Sequence, residues 1–198
     1  EKDRELLHER EMAAIADVIP LHRRLSEAGA LELTTTPYYH PILPLMLDFS
    51  SIHEALPDAP VPANARSLED DAARQVADAI SSHEKRFGTK PKGMWPSEGS
   101  VSQKVAEMLA QSGIEWIATD EQVLERCLGT PMGRNDGTLA RPDLLYRPYE
   151  LESVEPAIRI VFRDHFMSDL IGFQYRSWNP RAAASDLLDR LREGGREG

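Results

Sequence analysis

The chain has 198 residues, of which 41% are hydrophobic and 28% are charged, as is ordinary for a globular protein with its own core. Its 33 acidic and 23 basic residues give a formal net charge of −10, and no basic cluster runs along any segment, so we expect no nucleic-acid partner. Cys127 is the only cysteine, which excludes an internal disulfide and a cysteine-rich metal site.

The ends of the chain carry no targeting signal that we recognise. No apolar run approaches the ~18 residues that span a bilayer, and no signal peptide is present, so we expect no membrane partner and a cytoplasmic location. The first residue is Glu rather than Met, and both ends adjoin predicted helices. We therefore expect an internal piece of a longer protein.

The N-terminal third predicts a helix, a strand and a packed loop. Apolar residues at helical intervals from Leu7 to Leu25 predict a helix that Pro20 bends or interrupts. In the run 30–36, ALELTTT, apolar and polar residues alternate and β-branched residues are frequent, which predicts a strand. The apolar run 38–48 contains two prolines, so we expect a loop without regular structure that packs over the core.

The middle of the chain predicts two helices on either side of a short strand. The first helix is expected to be capped by Ser67 and to end at Gly88. The run around Met94 and Trp95 suits the end of a strand, and residues 101–112 predict the second helix.

The C-terminal part continues the alternation of strands and helices. Residues 114–120 and 157–164 predict strands, residues 121–128 and 185–193 predict helices, and the Gly- and Pro-rich run 129–142 predicts a loop. This alternation predicts an α/β fold with parallel strands, either a barrel or a doubly wound sheet. No repeat or internal boundary interrupts it, so we expect a single domain over residues 1–198.

Acidic residues recur where the predicted strands end. In parallel α/β folds, functional groups gather beyond the carboxyl ends of the strands. A carbohydrate needs acids that bond its hydroxyls and aromatic faces that cover its ring. The acids in or just after predicted strands are Glu32, Glu98, Asp120 and Asp164, and the aromatic or histidine neighbours are Tyr38, Tyr39, His40, Trp95 and His165.

The stretch 93–102, GMWPSEGSVS, allows two interpretations of Glu98. It can be an acid at a helix start, with Ser97 or Ser100 as the cap. It can also be a catalytic carboxylate at a strand end, beside an aromatic platform formed by Trp95. Trp95 taken alone is more typical of a core.

The other candidates have structural interpretations as well. Glu32 can face outward from its strand, and Asp120 can cap the following helix. His40 can be a loop histidine bonded to backbone, and Asp164 can cap a turn or pair with Arg163.

Three stretches, in this order along the chain, resemble glycoside hydrolase family 57, a group of enzymes that act on α-glucans. They are GALELTTTPYYHPILPL, GMWPSEGSVS and VFRDHFMSDLIGFQY, and the similarity is greatest to the amylopullulanase-like branch. The resemblance implies a (β/α)7 barrel, a retaining mechanism with two carboxylates, an α-glucan as the substrate, and no cofactor or metal.

The resemblance also assigns roles to residues. Glu98, in W-P-S-E, matches the family's nucleophile, and Trp95 matches an aromatic residue beside it. Glu32, in GALEL, matches an acid of the sugar-binding cleft. The other residues assigned to substrate binding lie in family-typical stretches: His40, Arg163, Asp164 and His165.

Two motifs of the family are absent. The His-Gln-Pro motif near the start of the barrel is not found, nor is the later motif that supplies the acid/base Asp, which we expect beyond Gly198. The resemblance therefore predicts a barrel that is incomplete at both ends, and a chain that has little or no activity alone. Asp164 is the best internal substitute for the missing acid by position.

Two other functions remain open on the sequence. One is a metal-dependent polysaccharide deacetylase, with Asp164, His165 and His40 as ligands from scattered loops. The other is a non-catalytic carbohydrate-binding fragment. The bond cleaved, the balance of hydrolysis and transfer, and the oligomeric state also stay open.

Overall fold

The computed structural model describes residues 1–135, 137–151 and 153–194. The helices are α1 (Lys2–Glu27), α2 (Leu43–Leu47), α3 (Ile52–Ala55), α4 (Glu69–Phe87), α5 (Gln103–Gln111), α6 (Glu121–Leu128), α7 (Pro142–Leu145), α8 (His165–Asp169) and α9 (Pro180–Gly194). The strands are β1 (Gly93–Met94), β2 (Trp116–Asp120), β3 (Arg134–Asn135), β4 (Thr138–Leu139), β5 (Tyr149–Glu150) and β6 (Arg159–Arg163).

The main sheet has four strands in the order β1-β2-β6-β5. The first three are parallel, and β5 runs antiparallel to β6. The longest ladder joins β2 to β6, from the pair Trp116 and Arg159 to the pair Asp120 and Arg163. The prediction of an α/β fold with parallel strands is thus confirmed as a small mixed sheet dominated by parallel pairs.

The core lies where α2, α4 and α5 pack on the sheet. Met94 and Ile117 face inward from β1 and β2, and Leu43, Val76 and Leu109 meet them from the three helices; all five are buried. Full burial of one such side chain contributes about 1.5–3 kcal/mol, so this contact fixes the sheet against the helices. A second, smaller cluster lies under the β3–β4 hairpin and contains Leu124, Met132, Leu139 and Leu145.

Pro20 and Pro44 both lie in helices, although the sequence predicts a bent or interrupted helix at the first and an irregular loop at the second. Helix α1 continues through Pro20, so the helix is not interrupted. The carbonyl of Ala16, which loses its helical partner, lies on an exposed helix where water can bind it. Pro44 lies in the first turn of α2, where a missing N–H costs no hydrogen bond. The run 38–48 therefore contains a short helix, although it packs over the core as predicted, with Leu43 buried.

The predicted cap of α4 is wrong, whereas its end is confirmed. The residue before the helix is Leu68, and no side chain caps it, so Ser67 does not serve this role. Three acids in the first turn, starting at Glu69, offer a favourable interaction with the helix dipole instead. Gly88 follows the last turn with a left-handed backbone, as predicted.

Two other predictions need correction. The strand expected over 30–36 is reduced to one parallel bridge, between Thr35 and Met94. The run 129–142, expected as a loop, contains the antiparallel hairpin β3–β4. The strands predicted at 114–120 and 157–164 are confirmed as β2 and β6.

Candidate active site

Four parallel segments end at one edge of the sheet. Thr35 bridges to β1, so the segment that contains it adds a fourth parallel segment beside β1, β2 and β6. The residues at or just beyond these four ends are His40, Trp95 and Glu98, Asp120, and Arg163 with His165. The sheet thus gathers at one edge most of the residues that the sequence singles out.

Glu98 lies on a tight turn just after β1. It occupies the centre of a 3-10 turn, Ser97–Gly99, with a left-handed backbone at φ 57° and ψ 20°. The hydroxyl of Thr119 on β2 donates to the Gly99 carbonyl and holds the turn from below. The Glu98 side chain is 74% exposed. Helix α5 begins later and is capped by Ser102, so the prediction of Ser97 or Ser100 as its cap is wrong.

His40 bonds Glu98 from the neighbouring segment. Its Nε2 atom lies 3.0 Å from Glu98 Oε1, and its Nδ1 atom lies 3.0 Å from the Thr36 hydroxyl. His40 also has a left-handed backbone, at φ 59°. In the part of the chain that the structure describes, His40 and Glu98 are the non-glycine residues with positive φ. A left-handed residue with a Cβ costs about 1–2 kcal/mol, and such residues cluster at functional sites.

The loop that carries His40 is anchored to α4. The side-chain oxygen of Gln75 accepts from Tyr39 N at 2.8 Å, and the backbone carbonyl of Gln75 accepts from Tyr38 N at 3.1 Å. The His40 N–H donates to the Pro37 carbonyl at 2.9 Å, which closes the turn. The position of His40 is therefore set by α4, independently of its contact with Glu98.

A second polar group at the same edge centres on Asp120. Its Oδ2 atom accepts from Arg163 Nε at 2.8 Å and lies 2.8 Å from His165 Nδ1. Burial alone would raise the pKa of the Asp120 carboxyl, but hydrogen bonds from the Gln122 N–H, His165 and Arg163 outweigh it and hold the pKa below its ordinary value. The bond to Asp120 raises the pKa of His165, and Asp169, 3.4 Å from its Nε2 atom, adds to this.

Arg163 connects this group to the turn of Glu98. Its guanidinium carbon lies 5.9 Å from the ring centroid of Trp95, within the range of a cation–π contact. Trp95 in turn packs against Gly99, where an added Cβ would approach the indole to 3.1 Å. Arg163, at the end of β6, therefore contacts the aromatic residue that precedes the Glu98 turn.

Asp164 lies in a different environment, although it follows β6 directly. Its side chain is only 8% exposed, and its oxygens accept from Arg134 at 2.7 Å, Tyr146 at 2.6 Å and the Met167 N–H at 2.8 Å. Arg134 also bonds Glu121 at 2.6 Å. We call the two buried acids Glu121 and Asp164, together with their partners Arg134 and the half-exposed Tyr146, the buried cluster.

Burial dominates the electrostatics of the buried cluster. It raises the pKa of Glu121, against the opposing effect of Arg134. It also raises the pKa of the Tyr146 hydroxyl, together with the bond to Asp164. Asp164 caps α8 through the Met167 N–H, so the structural interpretation of this residue as a cap is confirmed.

Glu32 is not brought to this edge. Its carboxylate accepts a hydrogen bond from Trp116 Nε1 at 2.7 Å. Trp116 begins β2, whereas Asp120 ends it, and four residues of strand span roughly 13 Å. The alternative interpretation of Asp164, as a partner of Arg163, is not the one that forms among the described residues, where Arg163 bonds Asp120.

The three ligands considered for a metal centre do not converge. His40 bonds Glu98, His165 bonds Asp120, and Asp164 belongs to the buried cluster. Among residues 1–135, 137–151 and 153–194, no group of three or more His, Cys, Asp or Glu side chains is arranged to hold a metal ion. Within the same residues, no helix is both long enough and apolar enough to cross a membrane.

Sequence reasoning missed several residues of this edge. Thr36 and Gln75 are ordinary polar residues in the sequence, and only the fold shows that they hold His40 and its loop. Arg134 and Tyr146 lie in or near a Gly- and Pro-rich run that predicts a loop. Gln75, Arg134 and Tyr146 carry no local signal, because each acts on a partner that is distant in sequence. Thr36 lies in the family-like stretch, but its contact with His40 depends on the shape of the turn between them.

Comparisons with known proteins are consistent with one family. The model of glycosyl hydrolase family 57 matches residues 5–197. No curated protein matches the chain. Among solved structures, a 4-alpha-glucanotransferase from Thermococcus litoralis is 21% identical with a TM-score of 0.54, and the match covers 80% of this chain and 20% of that protein.

Two further solved structures have the same fold over most of this chain. The alpha-amylase AmyC from Thermotoga maritima is 20% identical with a TM-score of 0.57, over 84% of this chain and 26% of that protein. A branching enzyme from Thermococcus kodakaraensis, solved in complex with glucose, is 18% identical with a TM-score of 0.55, over 86% of this chain and 30% of that protein. The chain thus spans between a fifth and about three tenths of the length of these proteins.

Proposed function

The chain belongs to glycosyl hydrolase family 57, and we propose that it forms part of a catalytic domain that cleaves α-glucans with retention, with Glu98 as the nucleophile. The observation that carries this proposal is the Glu98 carboxylate itself. It is largely exposed at the carboxyl edge of the parallel sheet, on a left-handed backbone, beside Trp95. The names of the similar structures, an amylase, a glucanotransferase and a branching enzyme, support α-glucans as the substrate class.

In this proposal Glu98 attacks the anomeric carbon of a bound sugar. The C–O bond to the leaving sugar breaks, its oxygen takes a proton from a second carboxyl group, and a covalent glycosyl-enzyme remains. Water then releases the sugar by hydrolysis, or the hydroxyl of another sugar does so by transfer. The mechanism requires an ionised nucleophile, and the side chain of Glu98 is accessible to a bound sugar.

Retention needs a second carboxyl group about 5–5.5 Å from the first. The acids near Glu98 are committed to other partners: Asp120 to Arg163 and His165, and Asp164 to the buried cluster. We therefore assign the general acid to a residue outside this chain, and we expect the chain alone to have little or no activity. Hydrolysis of a glucan by the 198-residue chain, lost on Glu98→Gln, would contradict this and make Asp164 the leading internal candidate.

The same proposal extends to the fold and to substrate binding. A partial (β/α)7 barrel agrees with the run of parallel segments from Thr35 to β6 and with the similarity to larger structures. Trp95 and Arg163 lie where they can contact a sugar bound at Glu98. His165 supports Arg163 through Asp120. The role of Glu32 in the cleft stays a prediction that the geometry does not favour, because its carboxylate lies at the other end of β2.

The test is made on the full-length protein with a soluble α-glucan. We expect Glu98→Gln to lower kcat by about 10³-fold or more, because removal of a nucleophile eliminates the covalent path. The matched control is Glu107→Gln, on α5, whose partly exposed side chain bonds only its own helix neighbour Gln103 in the described residues. NMR of the first product should show the α-anomer. Near-normal activity of Glu98→Gln, or initial release of the β-anomer, would overturn the proposal.

A further inference from the structure

Both ring nitrogens of His40 are already bonded within the chain. Nε2 faces Glu98 Oε1 and Nδ1 faces the Thr36 hydroxyl, each at 3.0 Å. In the proposed mechanism the Glu98 carboxylate is ionised and only accepts hydrogen bonds, so the mechanism requires Nε2 to donate in this pair. The Thr36 hydroxyl can then donate to a bare Nδ1. In this arrangement the ring has no nitrogen left to bond a sugar hydroxyl, which argues against a direct role in substrate binding.

The two oxygens of the Glu98 carboxylate have different hydrogen-bonding environments. Oε1 is bonded to His40, whereas Oε2 has no hydrogen-bond partner among the described residues. A carboxylate fixed through one oxygen presents the other in a defined direction. This is the arrangement that attack on an anomeric carbon requires, because the attacking atom must be free while the group as a whole is held.

The contact joins two turns that are anchored separately. The His40 turn is held by Gln75 of α4, and the Glu98 turn is held by Thr119 of β2. Both residues keep a left-handed backbone that is unfavourable for a side chain with a Cβ. A strained conformation on both sides of one hydrogen bond shows that the surrounding structure over-determines the pair.

We infer that His40 is a positioning residue, which fixes the attacking carboxylate of Glu98, and that Thr36 fixes the tautomer of His40. The inference rests on the proposed function, since it gives His40 this role only if Glu98 is the nucleophile. It replaces the substrate-binding role that the family resemblance suggests for His40. Thr36, to which the resemblance assigns no role, becomes part of the arrangement that positions Glu98.

The experiment uses the full-length protein and separates turnover from binding. We compare His40→Ala, His40→Gln and Thr36→Val by kcat and KM on a soluble α-glucan. We also measure glucan affinity with each change placed on a Glu98→Gln background, which binds without turnover. His22→Ala is the control, because this exposed ring on α1 bonds only the Val18 carbonyl of its own helix in the described residues.

We expect His40→Ala to lower kcat about 10- to 100-fold, the usual effect of a lost hydrogen bond to a charged group. KM and the affinity of the Glu98→Gln background should change by less than about threefold. His40→Gln should recover most of kcat, because its amide can donate from the position of Nε2. Thr36→Val should cost a smaller factor, roughly three- to tenfold, typical of a neutral hydrogen bond.

Several results would overturn the inference. One is an unchanged kcat in His40→Ala; another is a weaker glucan affinity that accounts for the whole loss, as expected if His40 bound the sugar. A His40→Gln variant as impaired as His40→Ala would also contradict it. If His40→Ala fails to fold, the Thr36→Val variant is the test, and an unchanged kcat of that variant would overturn the inference. Full activity in Glu98→Gln is a separate result, which overturns the proposed function as well.

Discussion

Two acids that follow strands of the sheet, Glu98 and Asp164, differ in burial and in backbone geometry. The His40–Glu98 pair is solvent-accessible, with Glu98 74% exposed, and both residues have a left-handed backbone. In the buried cluster, Asp164 is only 8% exposed, and protein groups bond both of its oxygens.

This difference distinguishes a carboxylate that stabilises the fold from one that is available to react. A buried carboxylate is tolerated only when its oxygens are bonded, so full pairing is what stability demands. An accessible carboxylate does not need a strained backbone for stability, so strain at that position points to function. Proximity to a strand end alone would have placed Glu98 and Asp164 in the same class.

The largest expected effect on stability comes from the buried cluster. Arg134→Met removes the cation between Glu121 and Asp164 and leaves two buried carboxylates without it. We expect a loss of about 3–5 kcal/mol in the free energy of unfolding, typical of one partner removed from a buried pair. Chemical denaturation of the variant against the parent protein measures this.

The matched control lies on the following segment. Arg141→Met removes an exposed ion pair with Asp143 and should change the free energy of unfolding by less than about 0.5 kcal/mol. Equal effects of Arg134→Met and Arg141→Met on the free energy of unfolding would show that the buried cluster stabilises the fold no more than an exposed ion pair does. An Arg134→Met variant of normal stability that has lost its activity would also contradict the account, because the buried cluster would then take part in catalysis.

A smaller effect tests the strain at Glu98. Glu98→Ala and Glu98→Gly both remove the carboxylate, but only Gly adopts the left-handed backbone without cost. We expect Glu98→Gly to be more stable than Glu98→Ala by about 1 kcal/mol, although both lose activity. The difference between the two free energies of unfolding, measured side by side, gives the cost of the left-handed backbone at position 98. An Ala variant as stable as the Gly variant would show that the backbone is not strained at this position.

The smallest effect concerns the pH dependence of stability. Asp120 raises the pKa of His165, so protonation of His165 stabilises the folded state. This contribution is complete below the ordinary histidine pKa of about 6.5 and is lost as the pH rises through the raised value. His165→Gln should therefore destabilise the protein at pH ~5.5 and have less effect at pH ~9. A constant difference between the two proteins at both pH values would show that His165 does not titrate in this way.

Local patterns in the sequence predict much of the framework. The β-branched runs predict β2 and β6, and the Gly-Met-Trp-Pro run predicts the strand end before Glu98. The rule that functional groups gather at the carboxyl ends of parallel strands then brings Glu98, Asp120 and Arg163 to one edge. Those predictions succeed because each depends on neighbours in sequence or on a general property of parallel sheets.

The details that decide function depend on distant partners. His40 and Glu98 are 58 residues apart, and no pattern in either segment predicts their contact. Asp164 resembles Asp120 in sequence, since each directly follows or ends a strand. It is drawn into the buried cluster by Arg134, from a run predicted as a loop, and by Tyr146, just beyond that run. Long-range pairing of side chains is set by the whole fold rather than by local propensity.

The central claim is that Glu98 forms the covalent intermediate. The direct measurement is to incubate the full-length protein with an activated fluoro-sugar that forms the glycosyl-enzyme quickly and releases it slowly, and to locate the adduct by peptide mass. We predict one adduct, on Glu98 in the peptide that contains Trp95, formed more slowly in His40→Ala. An adduct on any other residue would contradict this account.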